Sequence, residues 1–302
     1  PCAVAAINAE NWKDSKSMSA PAESKVYLGL CQQIAEAKMA FKTRHRDQID
    51  IPDDQTKKRA EEGGPLLDIQ RLKTERKLLS EFFDDLLSLV KTNEFFSREE
   101  VDKLVASKEK MDPVELIRPV IDGDLPSFKT HSAQLGVETD LVSFVGLSLS
   151  QAVAELYAEK VKQEVDQESW VKGNCPVCGS HPGIERLMRD DGKRMLRCSL
   201  CGTEWYFKRI MCPFCGNEDH NSLRFFVVEE ETPTEKSAFR VDVCDKCKIY
   251  IKTLDERKLP ETEKPDLYLE NLNTVYLDIL AQKDGYESPT YWMLVPAEGL
   301  IV

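Results

Sequence analysis

The sequence has no run of about 18 uninterrupted apolar residues, so we expect no membrane-spanning helix. No basic stretch followed by an apolar core stands at its start, so no secretory signal is recognised, although the chain begins at Pro1 and what precedes this residue stays open. P-loop, Gly-x-Gly-x-x-Gly, nucleophile-elbow and His-Glu-x-x-His motifs are all missing. Histidine is scarce, with 4 in 302 residues. Because no catalytic constellation can be assembled, we expect a protein that is not an enzyme.

Basic residues are fewer than acidic ones, 41 against 53, which gives a formal net charge of −12. This balance argues against a chain built mainly to coat nucleic acid, which would need a basic excess. The hydrophobic fraction of 41% and the charged fraction of 31% suit a soluble globular chain. A length of 302 residues allows two domains, or one domain with small modules.

The first half of the chain has helical periodicity. Residues 1–22 are small and polar, which predicts a mobile tail. Residues 23–168 predict an α-helical domain, because apolar residues recur there at three- and four-residue steps without sustained alternation. The proline-containing stretch 113–126 is expected to be broken. One helix is expected over 24–50 and a second over 68–91. A third is expected to begin at the capping box of Ser97 and Glu100, and one or two further helices are expected over 141–166.

The character of the sequence changes at Gly173, where glycine, proline and cysteine cluster between short β-rich runs. The unit Cys-Pro-x-Cys-Gly occurs twice, which predicts two similar modules in tandem, at 169–210 and 211–258. Residues 259–302 are expected to form a C-terminal helix and a tail. The fold class is therefore predicted as α+β, with an N-terminal α-helical domain, two rubredoxin-like or zinc-ribbon four-cysteine modules and a C-terminal helix.

Elements within this second half are predicted from local pattern. Leucines and other apolar residues over 267–280 predict one helix, and 291–295 predicts an extended segment. The expected strands are 194–197, 204–207, 223–228, 239–243 and 249–254, with an acidic hairpin tip at 229–233.

Eight of the 10 cysteines fall in Cys-x-x-Cys pairs. A disulfide framework would use scattered cysteines in an oxidising compartment, whereas paired spacing presents two thiolates to one ion. The pattern therefore predicts metal binding in a reducing, cytoplasmic setting. Cys2 and Cys31 stand alone, and we expect no function for them. The candidate metal ligands are Cys175 and Cys178, Cys198 and Cys201, Cys212 and Cys215, and Cys244 and Cys247.

Two pairs together supply the four donors of a tetrahedral ion. Pairing of adjacent motifs keeps each loop short and is preferred, and a crossed arrangement that joins the middle two pairs is the alternative. Glycine follows each of the first three pairs, which fits a turn with positive φ. Lys248 stands at that position after the fourth pair, so its turn is expected to be less regular.

The identity of the metal stays open between zinc and iron. Structural zinc ribbons and rubredoxin-like iron sites both use four cysteines in a tetrahedron. Dithiol redox motifs of the thioredoxin type are disfavoured, because such a motif occurs singly at a helix start. We expect two mononuclear tetrahedral ions, and His181 and His220, which follow cysteine pairs, are not expected as ligands.

Residues 171–210 carry a basic excess beside three consecutive aromatic residues, 205–207. This face could contact an acidic protein or nucleic acid, although such charges are also ordinary on a solvated ribbon edge. Trp205 is expected to pack within the ribbon. The candidate partner-binding residues are Arg189, Arg194, Arg197 and Tyr206.

These motifs resemble the FdhE family of formate dehydrogenase accessory (formation) proteins. The resemblance covers about 170–285 and thins upstream, where GPLL at 64–67 is similar. It is carried by GNCPVCGS at 173–180, RCSLCGTEW at 197–205, CPFCG at 212–216, CDKC at 244–247 and YIKTL at 250–254.

The resemblance implies a cytoplasmic helper that binds the catalytic subunit of a molybdenum or tungsten formate dehydrogenase during its maturation. It also implies that the eight paired cysteines hold iron or zinc. Two other functions stay open: a zinc-ribbon nucleic-acid-binding protein, disfavoured by the net charge, and a rubredoxin-like electron carrier, which requires iron.

Overall fold

The structure is a computed structural model of the chain, and it describes residues 22–51, 53–71, 76–227 and 237–288. Most of the expected tail at 1–22, the hairpin tip at 229–233 and the extended segment at 291–295 lie outside the described residues. The described chain divides into a helical unit, within Ala20–Glu164, and a metal unit, within Val165–Trp292. Helices in the first and a mixed sheet in the second confirm the α+β class.

The helical unit is built around its last helix, which is buried on most sides. Phe128 and Leu116 pack closely against Gly146 of this helix. A Cβ at position 146 would come within 2.5 Å of the Phe128 ring and 2.6 Å of the Leu116 carbonyl oxygen. The described helices are α1 (Ala22–His45), α2 (Asp53–Glu61), α3 (Arg76–Thr92), α4 (Arg98–Ala106), α5 (Pro113–Ile121), α6 (Phe128–Leu135) and α7 (Thr139–Val161).

By length and composition alone, the segment Thr139–Glu164 is apolar enough to cross a membrane. In the structure, 89% of its most apolar window is buried within the protein. The core helix of a soluble protein has the same length and composition, so this feature is weak support for a membrane span. Leu141, Val145 and Leu149 are fully buried, as expected of such a core helix.

The predicted helix start at Ser97 is confirmed, since the Ser97 side chain accepts a hydrogen bond of 3.3 Å from the Glu100 backbone N–H. The expected break at 113–126 is wrong over Pro113–Ile121, where α5 forms, whereas the chain is interrupted between α5 and the start of α6 at Phe128. Pro113 occupies the first turn of α5, where a backbone N–H has no helical partner, and Asp112 caps that turn through the Val114 N–H. Pro119 lies near the C-terminal end of this short helix.

Over its described residues, the metal unit forms a six-stranded sheet with the strand order β3-β2-β1-β6-β5-β4. Parallel pairing of β1 with β6 joins two three-stranded antiparallel ribbons, so the two tandem modules share a continuous sheet. The strands are β1 (Pro182–Leu187), β2 (Arg194–Cys198), β3 (Glu204–Phe207), β4 (Leu223–Phe226), β5 (Phe239–Cys244) and β6 (Ile249–Asp255).

Two short helices, α8 (Leu267–Asn273) and α9 (Val275–Lys283), replace the one helix expected over 267–280. The buried Lys252 ammonium donates to the Asn271 carbonyl at 2.5 Å and lies 2.6 Å from the Asp278 carboxylate. It also lies 3.5 Å from the Thr274 carbonyl at the break. The Lys252 ammonium therefore binds backbone carbonyls at the break between α8 and α9. The helical pattern of the sequence does not indicate this break.

Candidate metal centres

The first centre is formed by Cys175, Cys178, Cys198 and Cys201, which are all buried. Their sulfur atoms lie within 4.8 Å of one another. The Sγ atoms of Cys175 and Cys201 are 3.6 Å apart, and those of Cys178 and Cys198 are 3.4 Å apart. Four sulfurs at about 2.3 Å from a tetrahedral ion lie about 3.8 Å from one another. The donor set therefore fits one tetrahedral ion.

Tight turns aim backbone N–H groups at these sulfurs. The Val177 N–H lies 3.4 Å from the Cys175 sulfur, and the Leu200 N–H lies 3.3 Å from the Cys198 sulfur. Gly179 and Gly202, which close the turns, have φ angles of 80° and 69°. This left-handed conformation favours glycine, and the N–H groups stabilise thiolates.

The second centre is formed by Cys212, Cys215, Cys244 and Cys247. The Sγ atoms of Cys212 and Cys247 are 3.7 Å apart, and those of Cys215 and Cys244 are also 3.7 Å apart. These separations again match a tetrahedron of thiolates. Adjacent motifs therefore form each centre, as the preferred pairing predicts, and the crossed arrangement is excluded. The two clusters confirm two mononuclear tetrahedral sites.

The expectation of a less regular fourth turn is wrong. Lys248 has a φ of 60°, close to the 70° of Gly216 at the matching position. Its backbone N–H donates to the Cys244 carbonyl at 2.8 Å, and the Gly216 N–H donates to the Cys212 carbonyl at 3.0 Å. The metal-binding turn therefore imposes its geometry on lysine, at the cost of a left-handed conformation that L-residues rarely adopt.

The turns at Gly216 and Lys248 share one conformation, so replacing glycine in the first and introducing glycine in the second should change stability in opposite directions. Gly216→Ala should lower the free energy of unfolding by about 1–2 kcal/mol, because alanine is strained in the left-handed region. The added methyl would meet only ordinary contact, 3.6 Å from Met211 Cε. Lys248→Gly should raise the free energy of unfolding by about 1 kcal/mol, because glycine adopts a positive φ without strain. The exposed ion pair between Lys248 and Asp245, which this substitution removes, contributes little. Denaturant titration of the metal-loaded chain measures both, and equal signs would contradict the prediction.

The ionisation of these thiols also favours a cation. Burial raises the pKa of Cys175 and Cys201 well above the usual range of a thiol. Hydrogen bonds from the three neighbouring thiols instead hold the pKa of Cys178 well below that range. Four thiols packed together therefore cannot all ionise by themselves, whereas a bound metal ion compensates their charge.

Other sulfur and imidazole groups lie apart from the two clusters. Cys31 is buried in α1 of the helical unit, where burial raises the pKa of its thiol to about 12. His181 packs edge-on against the Phe214 ring, and burial lowers its pKa. Neither residue belongs to a ligand cluster in the part of the chain that the structure describes.

Arg194 is not available to a partner, which corrects the prediction for this residue. It is only 5% exposed, and its guanidinium binds the buried Glu185 carboxylate through Nε at 2.8 Å. Its Nη1 donates to the carbonyls of Lys208 and Met211, at 3.1 and 2.7 Å. Arg194 therefore holds the segment between the two centres in place. Nothing in the local sequence distinguishes it from a surface arginine.

The other candidate partner residues lie nearer the surface. Arg189 is half-buried and donates to the carbonyls of Leu259 and Glu263. The Arg197 guanidinium stacks over the Tyr268 ring at 5.7 Å. Tyr206 is 38% exposed on the edge strand β3, whereas Trp205 is fully buried, as expected for a core aromatic.

The helical unit and a sheet with two four-cysteine clusters define the class: an α+β protein with paired zinc-ribbon or rubredoxin-like metal centres. A family model described as "FdhE, central domain" matches residues 174–209, and one described as "FdhE, C-terminal domain" matches residues 210–295. The region that carries both centres, residues 174–295, therefore matches the central and C-terminal domains of the FdhE family.

Individual relatives agree with this assignment. The chain is 35% identical over 176 residues to "Protein FdhE homolog" from Aquifex aeolicus, covering 57% of this chain and 59% of the relative. It is 30% identical over 182 residues to "Protein FdhE" from Escherichia coli O127:H6, covering 58% of this chain and 55% of the relative. The matches thus span less than two thirds of these curated relatives.

A solved structure supports the fold. The crystal structure of the FdhE protein from Pseudomonas aeruginosa matches with a TM-score of 0.63 at 20% sequence identity. The match covers 91% of this chain and 95% of that chain.

Proposed function

We propose that this protein is an FdhE-type accessory protein that acts in the cytoplasm. In this proposal it binds the catalytic subunit of a molybdenum or tungsten formate dehydrogenase and assists its maturation. The observation that carries the proposal is the FdhE family match across both four-cysteine clusters.

The ligand sets support binding rather than turnover. Each cluster offers four cysteine sulfurs, which fill the coordination sphere of a tetrahedral ion. A catalytic zinc site instead keeps one position open for water or substrate. The eight cysteines are thus proposed as ligands that rigidify the metal unit and thereby shape a surface for a partner.

Exposed apolar residues at the end of β3 support a partner-binding surface. Tyr206 is 38% exposed and Ile210 is 53% exposed, only four residues further along the chain. Aromatic and aliphatic side chains that are exposed in the free protein are typical anchors in protein interfaces. Arg189 and Arg197 stay candidates for partner contacts.

The nucleic-acid alternative loses support from the ion pairs of the metal unit. Arg186 lies 2.6 Å from the Glu204 carboxylate and 2.9 Å from the Glu256 carboxylate. Arg194 is committed to the buried Glu185. Because part of the basic excess is neutralised internally, an acidic phosphate backbone would find fewer free cations than the sequence indicates.

A co-purification experiment tests the proposed function. Tagged protein recovered from native cells at low salt should carry the formate dehydrogenase catalytic subunit, identified by mass spectrometry. The double variant Tyr206→Asp/Ile210→Asp should recover at least tenfold less, since two carboxylates oppose burial of this surface. Met39→Asp is the matched control, because Met39 is 66% exposed in the helical unit.

Deletion of the gene should lower formate dehydrogenase activity without changing its transcript. The assembly proposal would be contradicted if the tagged protein recovered no formate dehydrogenase subunit and the deletion strain kept full enzyme activity. Salt-sensitive binding of DNA or RNA would favour the nucleic-acid alternative instead. A visible chromophore with reversible reduction would favour the electron carrier.

A further inference from the structure

We propose that the two metal centres are not equivalent: the second is an exchange site, open to external ligands at Cys215, and the first is closed. This inference does not rest on the proposed function. It follows from the burial of the ligand cysteines and of the turns that carry them.

The four cysteines of the first centre are all buried. In the second centre, Cys212 and Cys244 are buried, whereas Cys215 is exposed and Cys247 is half-buried. An incoming ligand can therefore approach Cys215 of the second centre without any opening of the fold.

The residues between the cysteines explain this difference. In the first centre, Pro176, Val177 and Leu200 are buried and form an apolar cover over the turns. In the second, Lys246 is exposed, and Asp245 is drawn into a salt bridge of 2.7 Å with Arg224. Apolar side chains seal a centre against water and chelators, whereas polar, exposed turn residues do not.

The second centre is also approached from a cavity of about 360 Å³, whose walls include Cys212 and Cys244. Arg209 lines the same cavity and donates to the Gly192 carbonyl at 3.0 Å. It forms no ion pair among the described residues, so its charge is free to attract an anionic ligand.

Ligand exchange at this centre balances without a redox change. An entering thiol gives up its proton and binds as a thiolate, and the Cys215 thiolate leaves and accepts that proton. One metal–sulfur bond breaks and one forms. Small anionic thiols and carboxylate chelators are thus the class of molecule that this centre would exchange with.

Zinc release from the full-length, two-zinc protein tests the inference. With excess EDTA, and with protein-bound zinc measured by rapid desalting and elemental analysis at successive times, one equivalent should leave at a rate that rises in proportion to EDTA concentration. The second equivalent should leave at least 100-fold more slowly, at a rate independent of EDTA, because its release requires opening of the fold. Iodoacetamide mapping by mass spectrometry should modify Cys215 first.

Two matched variants assign the phases, because Cys215 and Cys178 each end a Cys-Pro-x-Cys turn. Cys215→Ser should abolish only the fast phase and keep the circular dichroism of the protein. In Cys178→Ser, the slow equivalent should be absent, and the content of the fast equivalent should fall as well, because β1 and β6 belong to one sheet. If this variant does not fold, alkylation of the unmodified protein still decides the question. Release of both ions with one rate constant, or alkylation of Cys178 as fast as Cys215, overturns the inference.

Discussion

Cys178→Ser is expected to remove the ion from the first centre and to unfold the metal unit, while the helical unit keeps its structure. A small ribbon buries too little apolar surface to fold alone, and structural zinc contributes about 10–16 kcal/mol in zinc-finger peptides. The loss should spread through the sheet, because β1 pairs in parallel with β6, from Ile184 with Lys252 to Leu187 with Asp255. This variant should therefore lower the metal content of both centres.

Metal analysis and limited proteolysis measure this effect. Proteolysis should trim the chain near 168–175 and leave a helical fragment with its far-ultraviolet circular dichroism. Cys31→Ser is the control: Cys31 lies in α1, outside both clusters, and its replacement should leave two ions per chain. Cys2→Ser should behave in the same way. A Cys178→Ser chain that binds two ions and resists protease would refute the prediction.

The metal centres could be predicted from the sequence because their geometry is local. Two cysteines separated by two residues can bind the same ion independently of the rest of the fold. The glycines that follow encode the turn, and Lys248 shows that the turn geometry dominates even without glycine. Short-range chemistry therefore determines the ligands, and short loops favour their adjacent pairing, which the structure then confirms.

The features that the sequence does not predict depend on contacts between residues that are far apart in the chain. The sequence pattern does not predict β1, because Pro182–Leu187 contains Glu185 and Arg186, which are typical of a polar surface. Glu185 is in fact buried, and it accepts hydrogen bonds from Arg194 and from Thr253 at 2.8 Å. Buried charges are tolerated when they are paired and hydrogen-bonded. That pairing forms only once three strands are assembled, so periodicity cannot show it.

Gly173→Ala is expected to weaken metal binding at the second centre, although Gly173 precedes the first pair of cysteines. A Cβ at this position would lie 1.7 Å from the Pro213 carbonyl oxygen and 2.5 Å from its carbonyl carbon. These are backbone atoms, so no side-chain rotation relieves the clash. The turn that holds Cys212 and Cys215 must shift instead. Overpacking commonly costs about 1–3 kcal/mol, and we expect a loss of about 3 kcal/mol or more in unfolding free energy here.

Zinc competition and denaturant unfolding test this long-range effect against Gly29→Ala. Gly29 lies inside α1, and a Cβ there would meet no atom within 4 Å. That control should stabilise the helical unit by about 1 kcal/mol, because alanine favours the helix, and should leave two ions bound. Gly173→Ala should instead lose the second ion at a lower competitor concentration than the unmodified chain. Unchanged affinity and stability in Gly173→Ala would show that the two turns do not pack as closely as 1.7 Å implies. Loss of metal in this variant alone would show that the residues leading into the first centre also position the second.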